Sequence, residues 1–158
     1  PGHTRITDEE EICRIVPVIE RIKKEYDIPV SVDTYKSQVA KEALEAGADL
    51  VNDIWGLKAD AKMAPLLAKY KVPCCIMHNR KNMEYKNFLE DITEDLKESI
   101  WLAKEAGIQE DKIIVEKRIK EMQDTKIDTI KEQEIPYEIL EKIGTTYKFD
   151  KGDDEHRR

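Results

Sequence analysis

No stretch of this 158-residue chain approaches the ~18 consecutive apolar residues of a membrane-spanning helix. Pro1, Gly2 and His3 open the chain without the apolar segment of a signal peptide. Cysteine is scarce: Cys13, Cys74 and Cys75 fit neither a metal spacing nor a disulfide framework, so a cytoplasmic, reducing setting is expected. The histidines His3, His78 and His156 have no metal spacing either, and no metal ligand set is read from the residues. None of the six glycines builds a phosphate-cradling cluster after a strand, which argues against a dinucleotide fold or a P-loop. Excess positive charge is lacking as well. Lys and Arg number 27 against 34 acidic residues, and a net charge of −7 disfavours a general binder of nucleic acid or anionic membrane. What remains is a chain with 40% apolar residues, enough for one core, at a length that fits one domain or one domain with an appendage.

One pattern recurs through the first two thirds. An amphipathic stretch ends in a turn and leads into a short apolar run that finishes on a polar residue. Ile28-Pro29-Val30-Ser31-Val32-Asp33, Asp49-Leu50-Val51-Asn52-Asp53, Val72-Pro73-Cys74-Cys75-Ile76-Met77-His78 and Lys112-Ile113-Ile114-Val115 are such runs. Between them lie helical stripes. Thr7 with Glu10 is a capping-box pattern before Ile12, Ile15, Val16, Ile19 and Ile22. Val39, Ala43, Leu44 and Ala46 precede Gly47 at a C-cap position, and Leu66, Leu67 and Tyr70 mark a third helix started by Asp60. Ile92, Leu96, Ile100 and Ala103 mark a fourth, from about Leu89 to Ala106. Pro17 falls inside the first stripe and predicts a kink or a new segment, because an interior proline costs ~3 kcal/mol.

Helices alternating with short apolar strands predict a parallel α/β sheet. A partial TIM-type (β/α) barrel with about four strands and outer helices leads; a doubly wound, flavodoxin-like module is the competing architecture. Both place ligands at the C-terminal strand ends, here Asp33, Asn52 with Asp53, and His78 with Asn79 and Arg80. Residues 1–115 form this domain. Residues 116–158 form a highly charged tail, with a solvated helix over Ile119, Met122, Ile127 and Ile130, a short helix between Glu134 and Gly144, and disorder from about residue 151.

Asp33 ends a buried strand just before a helix. A carboxylate there accepts two ring N–H groups of a heterocycle, or else serves only as the helix N-cap. Asn52 offers an acceptor and donors to a mixed heterocycle edge; an Asx turn is its alternative. Ile54 and Met77 provide apolar walls for a flat ring, or are ordinary core. His78, Arg80 and Lys81 form a local cationic cluster that would hold a phosphate, since net charge is screened within about 8–10 Å; a solvated loop is the plain alternative. Cys74, Cys75, Trp55 and Trp101 read as packing residues.

Asp33-Thr34-Tyr35-Lys36, Asn52-Asp53-Ile54 and Met77-His78-Asn79-Arg80, in this order and spacing, resemble dihydropteroate synthase of the pterin-binding barrel family. The resemblance covers residues 1 to about 115. It implies a (β/α)8 barrel that condenses 6-hydroxymethyl-7,8-dihydropterin pyrophosphate with p-aminobenzoate in folate biosynthesis, assisted by Mg2+. Asp33 and Asn52 would hydrogen-bond the pterin, Ile54 and Met77 would line its pocket, and Asp33 would stabilise positive charge developing on the pterin methylene. The chain departs from the family pattern in several places, among them the later Lys and the Arg and His of the final strand, which have no counterpart. The first strand with its metal-binding Asn and the Ser-Thr-Arg loop have no counterpart, and Glu116-Lys117-Arg118 stands where the family has Asp-Pro-Gly. An incomplete chain with little turnover alone is therefore expected, with self-association through exposed sheet edges. The other functional class is a non-catalytic binding or assembly protein that uses the half-barrel as scaffold and the tail as contact surface.

Overall fold

Thr7 opens the first helix by accepting the Glu10 N–H on its hydroxyl at 3.2 Å, and four acidic residues, Asp8 to Glu11, occupy the first turn where the helix dipole favours them. The computed structural model describes residues 6–80, 84–116, 118–119 and 133–134. Helix α1 spans Asp8–Glu25 without a break. Pro17 does not interrupt it: Pro17 and Cys13 are both exposed, so the carbonyl that loses its donor faces water. Strand β1 (Ser31–Asp33), helix α2 (Ser37–Glu45), strand β2 (Leu50–Asp53), helix α3 (Met63–Tyr70), strand β3 (Cys74–Ile76), helix α4 (Phe88–Glu105) and strand β4 (Ile113–Val115) follow.

Helices α2 and α4 end in the same device. Gly47 and Gly107 take left-handed φ values of 107° and 92°. The next residues donate back to the helix, Ala48 to the Ala43 carbonyl at 2.9 Å and Ile108 to the Ala103 carbonyl at 3.0 Å. Ala48 and Ile108 are buried, so each turn also seats an apolar residue under the sheet.

The four strands lie in sequence order, all parallel, with Val32, Val51, Cys74 and Ile113 in one register row. Those four side chains are buried. They meet Ala40, Ala43, Leu44, Leu67, Leu96 and Ile100 in a single core, and α1 packs on α2, α2 on α3, and α3 on α4. Right-handed crossovers between sequential parallel neighbours put the helices on one face. A doubly wound sheet reverses its order at a switch point; the described sheet does not, which removes the flavodoxin-like architecture in favour of a partial barrel.

Trp101 is 58% exposed and does not pack in the core, because Ile92, Leu96, Ile100 and Ala103 take the buried arc of α4. Beyond β4, Arg118–Ile119 (β5) pairs antiparallel with Gln133–Glu134 (β6). The helix expected from Ile119 therefore does not include that residue. The rest of that helix, the one expected between Glu134 and Gly144, and the end from residue 151 lie outside the described residues, as does Lys81.

Asp60 does more than start α3. Its carboxylate accepts the Ser37 N–H at 2.8 Å and the Lys62 N–H at 2.9 Å, and so caps α2 from 23 residues away, where the local N-cap residue, Lys36, makes no side-chain cap bond. Burial alone would raise its pKa, but the bonds to Ser37 and Lys62 outweigh that and hold the carboxyl below its usual range. Asp60→Ala is expected to cost about 2 kcal/mol, read from urea midpoints at pH 7. The difference from the parent should narrow as pH falls through the lowered carboxyl value, because stability from a depressed carboxylate is present above its unfolded pKa and lost on protonation. An unchanged midpoint at pH 7 would rule out the remote cap.

Candidate functional site

The pleat sends alternate strand residues to opposite faces. Opposite the helices, Asp33, Asn52, Cys75 and Ile114 stand side by side in register, each exposed or half-buried. The two polar residues expected to act together are thus register partners at the ends of adjacent strands. Asn52 Oδ1 is buried yet has no hydrogen-bond partner among the described residues. A buried acceptor left unmade costs about 1–3 kcal/mol, so this atom favours a donor brought from outside.

The residues after Asp33 fix its loop. Thr34 is buried; its N–H donates to the Asn52 carbonyl at 3.1 Å, its hydroxyl donates to Glu11 at 3.3 Å and accepts the Lys36 N–H at 3.2 Å. Lys36 pairs with Glu11 at 2.8 Å and Asp8 at 3.2 Å and donates to the Ile6 carbonyl at 2.9 Å. Its hydrogen bond to Glu11 is the main reason its ammonium is held above its usual pKa. These contacts tie the loop to α1, and at the start of α2 the Ser37 N–H is taken by Asp60.

Asp53 takes the turn-forming role. Completely buried, it accepts the Trp55 N–H at 2.8 Å and the Leu57 N–H at 2.9 Å. Burial pushes its pKa up; the two backbone bonds oppose that, and the charges of Asp33 and Asp60 add to it. Ile54 is half-buried at the start of this turn. Met77, one residue past β3, is buried and lies outside the main apolar cluster. Cys74 faces the core, but Cys75 lies half-buried on the site face rather than in the core. Burial pushes their thiols up to about 12 and about 11, so both are neutral and unreactive at physiological pH.

His78 and Arg80 are brought together on α4 rather than beside Asp33. His78 is buried, with Nε2 2.9 Å from the Tyr85 hydroxyl and Nδ1 3.1 Å from Asp95, an approach too poorly aligned for a hydrogen bond. Arg80 pairs with Asp95 and, at 3.4 Å, with Asp91, and its guanidinium lies 4.9 Å from the Tyr85 ring centre. The Arg80 charge is thus balanced inside the protein. Asp91 and Asp95, four apart on one face of α4, were the sequence signal for these partners, but spacing alone does not say which cation they meet. Among the described residues no group of three His, Cys, Asp or Glu side chains could hold a metal ion. Mg2+ is commonly held by one or two carboxylates together with water and substrate phosphate, so a cage made of protein side chains alone is not what it requires. No described helix is long and apolar enough to cross a membrane.

Comparison with known proteins shows the family and the fold. The family model for pterin binding enzymes matches residues 1–146. The dihydropteroate synthase of Clostridium beijerinckii is 59% identical over 116 residues, which are 73% of this chain and 43% of that protein. That of Bacillus subtilis is 50% identical over the same length, 41% of its own chain. Among solved structures, a dihydropteroate synthase from Clostridium difficile in the presence of pteroic acid superposes with a TM-score of 0.71 at 44% identity, covering 73% of this chain and 44% of that one. The Xanthomonas albilineans dihydropteroate synthase with 4-aminobenzoic acid gives 0.66 at 32% identity, covering 73% and 43%. The chain spans about two fifths of the length of the curated relatives it matches.

Desolvation pulls His78 below its ordinary value of 6.5; Asp95 and Asp91 oppose that, and Lys58 and Arg80 add to it. The fold therefore holds the neutral ring. Its contribution is complete above about pH 6.5 and is lost as pH falls through the lowered value. Thermal midpoints of the parent and His78→Gln, which cannot titrate, should converge as pH falls from 7.5 to 5. A gap that stays constant would show that His78 titrates alike folded and unfolded.

Proposed function

Since the chain belongs to the family of pterin binding enzymes, we propose that it carries the pterin-recognising part of a dihydropteroate synthase, the enzyme that joins 6-hydroxymethyl-7,8-dihydropterin pyrophosphate to p-aminobenzoate in folate biosynthesis. The observation that carries this reading is the buried, unpartnered Asn52 Oδ1 beside Asp33 in the strand register. A pterin edge presents N–H donors and ring acceptors together. The Asp33 carboxylate accepts a pair of donors, and the Asn52 amide takes a donor on Oδ1 and offers its NH2. Ile54 and Met77 follow Asp53 and Ile76, which are register partners, so they extend neighbouring strand ends as apolar walls for the ring.

In the reaction, pyrophosphate leaves and positive charge develops on the pterin methylene. The fixed negative charge of Asp33 stabilises that charge better than it stabilises the neutral ground state. Asp33 thus binds and stabilises electrostatically, and forms no covalent bond. Mg2+, if bound, would supply stabilisation of the leaving group. Arg80, already paired with Asp91 and Asp95, and His78, held by Tyr85, support the β3–α4 connection in this reading more than they hold phosphate. The assembly-protein reading rests on the tail, most of which lies outside the described residues. Self-association has a specific opening: among the described residues β1 and β4 each have a strand neighbour on one side only. A single monomer mass over a concentration series in the ultracentrifuge would remove it.

Calorimetric titration with pteroic acid, the ligand of the Clostridium difficile relative, tests the site. Binding is expected for the parent chain. Asp33→Ala should weaken it several-fold to a few hundred-fold, about 1–3 kcal/mol. Equal affinity in the two proteins would sink the assignment of Asp33.

A further inference from the structure

Gly56 sits where three parts of the site meet. It ends the turn that Asp53 folds, donating its N–H to the Asp53 carbonyl at 3.0 Å, and has a left-handed φ of 59°. A Cβ there would lie 2.5 Å from Ser99 Oγ, 3.3 Å from Ser99 Cβ and 3.1 Å from the Met77 carbonyl oxygen. Ser99 is fully buried on α4, and its hydroxyl is already committed to the Asp95 carbonyl at 3.2 Å, so it cannot swing away freely. Leu57, the next residue, is also left-handed at φ 66°, buried, and pinned by its N–H to Asp53 Oδ2. A non-glycine residue in that region is uncommon and held by its surroundings. The turn is therefore a wedge, closed at the bottom by the Asp53 carboxylate and seated against α4 and the end of β3.

Resting on the pterin-site reading above, we propose that Gly56 is a positioning residue for that site: the absence of a side chain lets the Asp53 turn close directly on the Met77 backbone and Ser99. Ile54, two residues before Gly56, and Met77, whose carbonyl the turn closes on, are then fixed relative to each other by this contact. Gly56 itself touches no substrate. Its role is to hold the two apolar walls in place, which an ordinary turn glycine would not do.

Gly107→Ala is the internal control. Its φ of 92° imposes left-handed strain, but nothing lies within 4 Å of the added Cβ, so it isolates backbone cost from the wedge. The first readout needs no ligand. Oxidation of Met77 by dilute hydrogen peroxide, followed by peptide mass spectrometry, should accelerate at least several-fold in Gly56→Ala and stay at the parent rate in Gly107→Ala. Gly56→Ala/Ser99→Ala, which removes the closest clashing atom, should recover part of the protection. The second readout is pteroic acid affinity, expected to fall about tenfold or more in Gly56→Ala alone. If Gly56→Ala does not fold, Ser99→Thr presses on the wedge from α4 without left-handed strain and should expose Met77 in the same way. Unchanged Met77 protection and pteroic acid binding in the folded Gly56→Ala protein would overturn the wedge and leave the proposed function standing. Exposed Met77 in a protein whose parent never binds pteroic acid would overturn the functional reading, and the role of Gly56 toward a ring with it.

Discussion

A parallel strand must hand its side chains alternately to two faces, and here the helices claim one of them. Because Val32, Val51, Cys74 and Ile113 share a register row against the helices, the neighbouring row of Asp33, Asn52, Cys75 and Ile114 has to point the other way. A slip of one residue would drive Asp33 into the apolar core and turn Val32 outward. The burial of those four apolar residues, each worth about 1.5–3 kcal/mol for a large aliphatic side chain, therefore also fixes which polar groups meet a ligand. Recognition chemistry at the strand ends is a consequence of core packing on the opposite side.

One residue breaks that division. Asp53 lies in the row that faces the helices and is completely buried. Its carboxylate is tolerated because two backbone N–H groups, from Trp55 and Leu57, converge on its two oxygens. Burial still wins the balance, since its pKa is raised rather than lowered. Asp60 and Asp49 show the opposite outcome from similar chemistry. Each also takes backbone N–H donors, but with more access to water the hydrogen bonds prevail and both carboxyls are held below the usual range. For Asp49 the leading cause is the Val30 N–H, reinforced by Lys23 at 3.0 Å. The same residue type thus folds a turn, caps a remote helix or joins α1 to the start of the sheet, according to how far water reaches it.

Periodicity carries these helices and strands well because each was an answer to one local question: which residues repeat every 3.6 or every two positions. The stripes Val39–Ala43–Leu44 and Ile92–Leu96–Ile100–Ala103 are buried as their spacing requires, and two strand ends fall on Asp33 and on Asn52 with Asp53, whereas β3 stops at Ile76, two residues short of the expected end at His78. The pairing of Asp33 with Asn52 was legible for the same reason. What the spacing could not supply was partners distant in the chain. His78 and Arg80 read as a free cationic cluster until α4 brings Asp91 and Asp95 against them. Asp60 read as the start of its own helix, although its carboxylate also caps α2. Pro17 read as a break because propensity is counted in an isolated helix. On an exposed face the orphaned carbonyl is simply hydrated, and packing of α1 on α2 carries the helix through. Trp101 misled in the other direction, since large aromatic area does not decide burial once a helix has committed a different arc to the core.

The four-residue run after β1 shows why such a motif is specific. Asp33 faces away from the core. Thr34, immediately after it, is buried and reaches three ways, to the Asn52 carbonyl, to Glu11 and to the Lys36 N–H. Lys36 then carries the connection to the start of α1, where two carboxylates and a carbonyl receive its ammonium. The exposed Glu10–Arg14 pair on α1 is worth only a few tenths of a kcal/mol, but the Lys36 cluster is partly sheltered and has several partners, so it has more to hold with. Asp33, Thr34 and Lys36 answer different physical demands, so a substitution at one is not compensated by another. A run with three independent demands recurs by chance far less often than residues of one kind. Short polar segments of this sort, taken together in their order and spacing, therefore pointed to the family where the longer apolar stripes did not.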